Sequence, residues 1–167
     1  MRDMRPEDVT GEARECTLNY HDGTSRRVFV TRVETAFPVG ELIVSQTDPD
    51  GIITQCNEAF VHMSGFPRED LIGQPHHILR HPDMPAAAFA DLWQTVKAGQ
   101  RWNGYVKNLR RDGGFYWVYA TVIPKQRAGQ IVGYTSVRRE PSRRRLAAAE
   151  ALYRTMNAAE PAQGGNK

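Results

Sequence analysis

The chain has little of what would place a protein outside the cell or in a membrane. Its 167 residues include only two cysteines, Cys16 and Cys56. They lie far apart and form no CxxC pair, so neither a disulfide framework nor a zinc site follows from them. No apolar run approaches the roughly 18 residues that a membrane span needs. The opening MRDMRPEDVT lacks the apolar core of a secretory signal, and a reducing cytoplasm is the expected setting. A surplus of one charge is missing too: 22 Lys and Arg stand against 19 Asp and Glu, a formal +3. So small an excess does not imply nucleic acid, because basic side chains must cluster to neutralise phosphates. Arginine is dense at Arg26–Arg27, at Arg110–Arg111 and between Arg138 and Arg145. Each cluster is read as a solvated face or a helix flank. No nucleophile–base pair stands out, and no enzymatic activity is expected.

What is present is one core's worth of apolar residue, 40% of the chain, in a recognisable order of elements. Residues 1–16 are polar, without periodicity, and expected to be mobile. Val28 and Val30, with Val33 at its limit, suggest a strand entered through a turn at His21-Asp22-Gly23. Leu42-Ile43-Val44 and Ile52–Gln55 flank Asp48-Pro49-Asp50-Gly51, a turn in which Pro presets φ and Gly supplies a positive φ. Asn57 reads as the N-cap of a short helix over 58–64 closed by Gly65. A second short helix follows Pro67. A longer one over 85–98 begins at Pro85, with Asp83 or Met84 as cap, and buries Phe89, Leu92, Trp93 and Val96. Strands are expected over 105–109, 115–123 and 131–137. The last helix is capped by Ser142 and carries an apolar stripe of Leu146, Ala149, Tyr153 and Met156. A hairpin and a three-strand meander must share one antiparallel sheet to bury these helices. The fold class is α+β with the short helices on one face.

This order is that of the PAS fold. Arg80-His81-Pro82-Asp83-Met84-Pro85, then Ala87–Trp93 (AAFADLW), Trp102-Asn103-Gly104, Val106-Lys107-Asn108 and Tyr116-Trp117-Val118, resemble the FAD-binding PAS sensor domain of the bacterial aerotaxis receptor family. The resemblance runs from about Leu42 to Val137 and more weakly through Glu150–Asn157. The chain is accordingly divided into an N-terminal cap or extension over 1–36, which the resemblance does not cover, a PAS sensor domain over 37–139, a signalling helix over 140–160 and, from its Pro161 and GGNK ending, a disordered tail over 161–167. The resemblance implies a non-covalent FAD, redox or oxygen sensing, and a chemoreceptor or kinase-type signalling partner. The family's cofactor-binding positions correspond here to Asn57, Arg80, His81, Asp83, Trp93 and Asn108. Family members bound to the membrane continue into an anchor and a signalling region, whereas this sequence stops at Lys167; a detached sensor is one expectation from that.

The residue types suit the chemistry. An Asn amide offers both a donor and an acceptor to the flavin edge that gains a proton on reduction. Arg80 and His81 lie beside an expected helix N-terminus, where free N–H groups favour a phosphate. Plainer readings stand beside these: Asn108 as a solvent-facing strand residue, Trp93 as core, Arg80–Asp83 as a surface ion pair. His76 and His77 read as exposed loop residues, and their spacing with His81 fits no metal-ligand set. Residues 74–98 hold no cysteine for a light-driven flavin adduct. Residues 85–98 hold no histidine for a heme, so a heme-based gas sensor is the weaker alternative. A cofactor-free interaction module that dimerises through sheet and helix is the other. Because of its stripe, the last helix is expected to pack on the sheet or on a second copy, in a homodimer.

Overall fold

The computed structural model describes residues 1–160; the expected tail over 161–167 lies outside them. Seven strands and four α-helices follow one another in the order β1 (Arg14–Asn19), β2 (Ser25–Val30), β3 (Ile43–Thr47), β4 (Ile53–Cys56), α1 (Glu58–Ser64), α2 (Arg68–Leu71), α3 (Ala86–Lys97), β5 (Trp102–Leu109), β6 (Phe115–Arg127), β7 (Gln130–Arg139) and α4 (Arg143–Ala159). Single 3₁₀ turns lie at Pro6–Asp8 and His76–Leu79. The expected antiparallel sheet is present, in the order β4-β3-β7-β6-β5. The β3–β4 hairpin and the β5–β6–β7 meander join through β3 and β7, with Ser45 opposite Ser136.

The turn after β3 forms for the reason its residues suggest. Asp48 Oδ1 accepts from the N–H groups of Asp50 and Ile52, both at 2.9 Å, and Gly51 takes a φ of +82°. Asn57 ties the next corner. Its Oδ1 accepts from Phe60 N at 3.0 Å and Val44 N at 3.1 Å, and its Nδ2 donates to Leu42 O at 2.8 Å. The cap thus pins α1 to β3, a role worth about 1 kcal/mol in comparable caps.

The N-terminal stretch is more ordered than its polarity suggests. Residues 14–19 pair with 25–30 as a separate two-stranded sheet, with Arg14 opposite Val30. Met4, Leu18, Tyr20, Val28, Phe29 and Val30 form a second small core with Leu109. Polar residues alternate outward along β1, and the apolar content of this unit comes from both strands together. Val33 lies beyond β2 and is exposed. Gly113, with a φ of +84°, lets the β5–β6 turn press on this unit; an added Cβ there would stand 2.9 Å from Phe29 O and closer still to Val9. Thr31 N donates to Gly113 O at 2.8 Å across the same seam.

Strand alternation gives the large sheet two faces. The helices cover one. On the other, β5 pairs Tyr105 with Tyr119 and Lys107 with Trp117 of β6, and α4 lies across them. Leu146 is buried, Tyr153 stacks on Trp117 with interplanar angle 17°, and the Tyr153 hydroxyl donates to Tyr105 O at 2.6 Å. Leu146 and Tyr153 of the apolar stripe are therefore covered by the chain's own sheet.

Two expected caps differ. Ser142 occupies the N-cap position of α4 but makes no side-chain capping bond. Pro85 is itself the residue before α3, without a side-chain cap. The Ala87 N–H is instead taken by the Glu160 carboxylate at 3.0 Å, so the end of α4 caps the start of α3.

Candidate functional site

Between the helical face and the strands β5–β7 lies a cavity of about 630 Å³, within the range of small-molecule sites. Val106, Ala120, Val122, Leu92, Trp93 and Phe89 line it with apolar surface, and Asn108, Ser136 and Arg138 bring polar groups to it. Trp93 meets Tyr134 edge to face at 5.5 Å and packs against Gly51, where a Cβ would stand 3.1 Å from the indole.

The central polar group is one the sequence reading put on a solvated face. Arg138 is 3% exposed. Its Nη2 donates to Ser45 Oγ at 3.0 Å and to His76 Nε2 at 2.6 Å, while Nη1 has no partner among the described residues. The guanidinium lies 5.2 Å above the Phe60 ring. Burial pulls its pKa down to about 10, yet it stays charged. No carboxylate compensates it among the described ion pairs. An uncompensated buried cation costs several kcal/mol. His76 is also not the exposed loop residue expected. Burial and the Arg138 charge push its pKa to about 3, so it is neutral and accepts at Nε2. Arg138 escapes sequence inspection because it ends a strand inside a run of arginines. Only the inward phase of β7, shared with Tyr134 and Ser136, distinguishes it.

Asn108 also faces inward and is 4% exposed. Its Nδ2 lies by the Tyr116 hydroxyl, and neither makes a hydrogen bond of ordinary geometry. Burial raises the Tyr116 pKa to about 12, so the hydroxyl keeps its proton. The cavity therefore receives an amide from Asn108 and a guanidinium from Arg138, each with hydrogen-bonding capacity to spare.

The six residues anticipated for the site separate into two groups. Arg80, Trp93 and Asn108 line the cavity, whereas Asn57, His81 and Asp83 do not. Asn57 acts at the α1–β3 corner. His81 is buried, and its Nδ1 accepts from Asp83 N at 3.0 Å; burial and the Lys107 charge push its pKa to about 3. Asp83 binds Lys107 Nζ at 2.8 Å and Arg14 at 3.3 Å. Burial opposes its ionisation, but the Lys107 hydrogen bond and the surrounding positive charge outweigh it and lower its pKa. The segment 80–85 runs along the edge of β5, with Arg80 bridging Asn108 and Lys107 N meeting Met84 Sδ at 3.3 Å. Two of the motifs that carry the resemblance, Arg80–Pro85 and Val106–Asn108, are thus one structural unit. The α3 N-terminus proposed for a phosphate is held by Glu160. Arg80 instead points toward the cavity, its Nε unpartnered and its guanidinium 5.2 Å over Phe89.

The family model for the PAS fold matches residues 53–138, which supply most of the residues lining this cavity. The chain belongs to the PAS family. This PAS domain is 45% identical over 134 residues, 80% of the chain, to the aerotaxis receptor of Escherichia coli (strain K12). It is 31% identical over 116 residues, 69% of the chain, to the nitrogen fixation regulatory protein of Klebsiella pneumoniae. It spans only 26% and 23% of those relatives' lengths. Among solved structures, the light-state Aureochrome1 LOV photoreceptor aligns over 67% of this chain and 91% of its own, with TM-score 0.60 and 21% identity. The LOV domain of a blue-light activated histidine kinase from Erythrobacter litoralis aligns over 61% and 97%, with TM-score 0.56 and 17% identity. The fold expected from the sequence is therefore the fold present. Among the described residues no helix is long and apolar enough to cross a membrane, and no cluster of potential metal ligands occurs.

Proposed function

We propose that this PAS domain is a redox sensor that binds FAD non-covalently in the cavity and signals to a protein partner in the cytoplasm. The observation that carries the reading is Arg138, a buried cation without a carboxylate among the described ion pairs, reaching with Asn108 a slot walled mainly by apolar side chains. The electron-rich carbonyl and nitrogen edge of a flavin supplies the acceptors that Arg138 and Asn108 lack, and the apolar walls suit its fused rings. The likeness to the E. coli aerotaxis receptor and to the Klebsiella regulator supports a sensory role. The fold shared with a light-oxygen-voltage domain studied with a flavin analogue (TM-score 0.56, 19% identity) is consistent with it.

Bound flavin supplies a couple in which N5 turns from hydrogen-bond acceptor to donor on reduction. Asn108 can meet either state by rotating its amide, presenting N–H₂ or C=O at the same place. Its neighbours pass the change on. Arg80 bridges Asn108, and the segment it begins reaches α4, where Asn157 Nδ2 donates to Asp83 O at 2.7 Å and Glu160 caps Ala87. Output through α4, to a chemoreceptor or kinase-type protein or to a second copy in a dimer, follows that path.

The test is the absorbance of purified protein before and after dithionite, with chromatography of the cofactor released on denaturation. Flavin bands that bleach, and released FAD, are expected. A Soret band or a colourless protein would overturn the reading. A heme is disfavoured because His76 Nε2 is already engaged by Arg138, and His77 stacks on Tyr20 at 4.0 Å. Cys56, at the end of β4, faces Arg68 rather than the cavity, which favours redox over adduct photochemistry.

A further inference from the structure

The cavity has two chemically different ends. At the inner end lie Asn108 and Arg138. The outer end is walled by the β1–β2 turn, where Tyr20, His21 and Asp22 join His77 and Arg80. This hairpin lies outside the residues matched by the family model. Tyr20 and His77 stack with interplanar angle 9°, and His21 meets His77 edge-on at 5.8 Å. Burial holds the His77 pKa down to about 4, so at neutral pH the stack is uncharged. Arg80 donates to the hairpin carbonyl of Asn19 at 3.4 Å and has no carboxylate partner among the described ion pairs. Asp22 stands at the rim, its carboxylate accepting from Thr24 N and Oγ1.

Passing outward, a ligand therefore meets a cation at Arg80, then uncharged aromatic surface, then an anion at Asp22. A terminal phosphate suits only the first of these. A pyrophosphate at Arg80 followed by a neutral purine suits all three, and base–aromatic stacking is tolerant in geometry. We propose that the N-terminal hairpin forms the subsite for the adenosine half of a flavin dinucleotide, with Tyr20, His21 and His77 as the purine surface. The inference rests on the flavin reading above and makes the hairpin a selectivity element for FAD over FMN or riboflavin.

The test is titration of the flavin-stripped full chain with FAD, FMN and riboflavin, for the wild type, Tyr20→Leu and His21→Ala. Wild type should bind FAD at least about tenfold tighter than riboflavin, the scale of one base–aromatic stack. Each variant should lose most of that ratio while keeping its riboflavin affinity, which also reports an intact inner cavity. His21 is exposed, so its variant serves if Tyr20→Leu does not fold. Equal affinity of wild type for FAD and riboflavin, unchanged ratios in the variants, or parallel loss of both ligands would each overturn the subsite and leave the flavin reading standing. A wild type that binds none of the three overturns both.

Discussion

Lys107 Nζ lies 2.8 Å from the Asp83 carboxylate, on the side of β5 that faces away from the cavity. The ammonium also lies 4.2 Å above the Phe115 ring. Asp83 thus supports the site from behind, by fixing the segment that begins at Arg80 against the strand that carries Asn108. Asp83→Asn should leave Lys107 buried without its counter-charge. The Asp83 side chain is half exposed, so the expected cost is reduced by solvent to about 1–2 kcal/mol. Urea denaturation of the cofactor-free protein measures it. Unchanged stability would show that the pair holds nothing in place.

Removing the buried charge should do the opposite. Arg138→Met keeps length and apolar volume and deletes an uncompensated cation. The cofactor-free variant should be as stable as wild type or more so, while flavin affinity falls at least about tenfold, the scale of a lost charge-assisted hydrogen bond. A variant that is destabilised yet keeps full flavin occupancy would assign Arg138 to the core instead.

Acidification should destabilise the fold through its buried histidines. His76 and His81 are held to about 3 in the folded protein, against 6.5 for an unperturbed imidazole. Between those values the unfolded chain binds more protons, so stability is full above about pH 6.5 and is lost as pH falls through that window. His76 alone contributes up to about 1.4 kcal/mol per pH unit there. Denaturation midpoints at pH 7, 6 and 5 should fall in step, and His76→Gln, which retains an acceptor for Arg138, should flatten the slope. Equal slopes in wild type and variant would contradict a buried neutral His76.

Asn108→Asp tests the reporter. A carboxylate cannot donate, so the variant should keep the fold but bind flavin more weakly or shift its midpoint potential. It should also blunt the difference in hydrogen exchange between oxidised and reduced protein. If all three are as in wild type, the reporting role passes to another group, with Trp93 next in line.

Tyr153→Phe removes the hydroxyl that binds Tyr105 O while keeping the stack on Trp117. Amide exchange in α4 should accelerate by several-fold, consistent with about 1 kcal/mol for one such bond, with protection of β3 and β7 unchanged. A uniform loss of protection would mean that α4 and the sheet open only together.

Local signals determined the elements of the large sheet. The Asp48–Gly51 turn, the Asn57 cap with Gly65 behind it, and the alternation in β5–β7 each act over a few residues, so the antiparallel sheet with helices on one face could be read directly. The motif at Arg80–Pro85 marked the segment that matters, although not how it acts. Charge placement required the tertiary structure. Whether Arg138 meets water or the interior depends on the inward phase of β7 and on Ser45 and His76, which reach it from β3 and the turn after α2. Asp83 and His81 are turned away from the cavity because 80–85 pairs along the edge of β5, a contact between residues far apart in sequence. The N-terminal hairpin was hardest to read, because its small core forms only when Met4, Leu18 and Phe29 meet Leu109 from another sheet. Periodicity reports which side of an element is apolar; only packing decides what that side faces, and whether a buried charge finds a partner there.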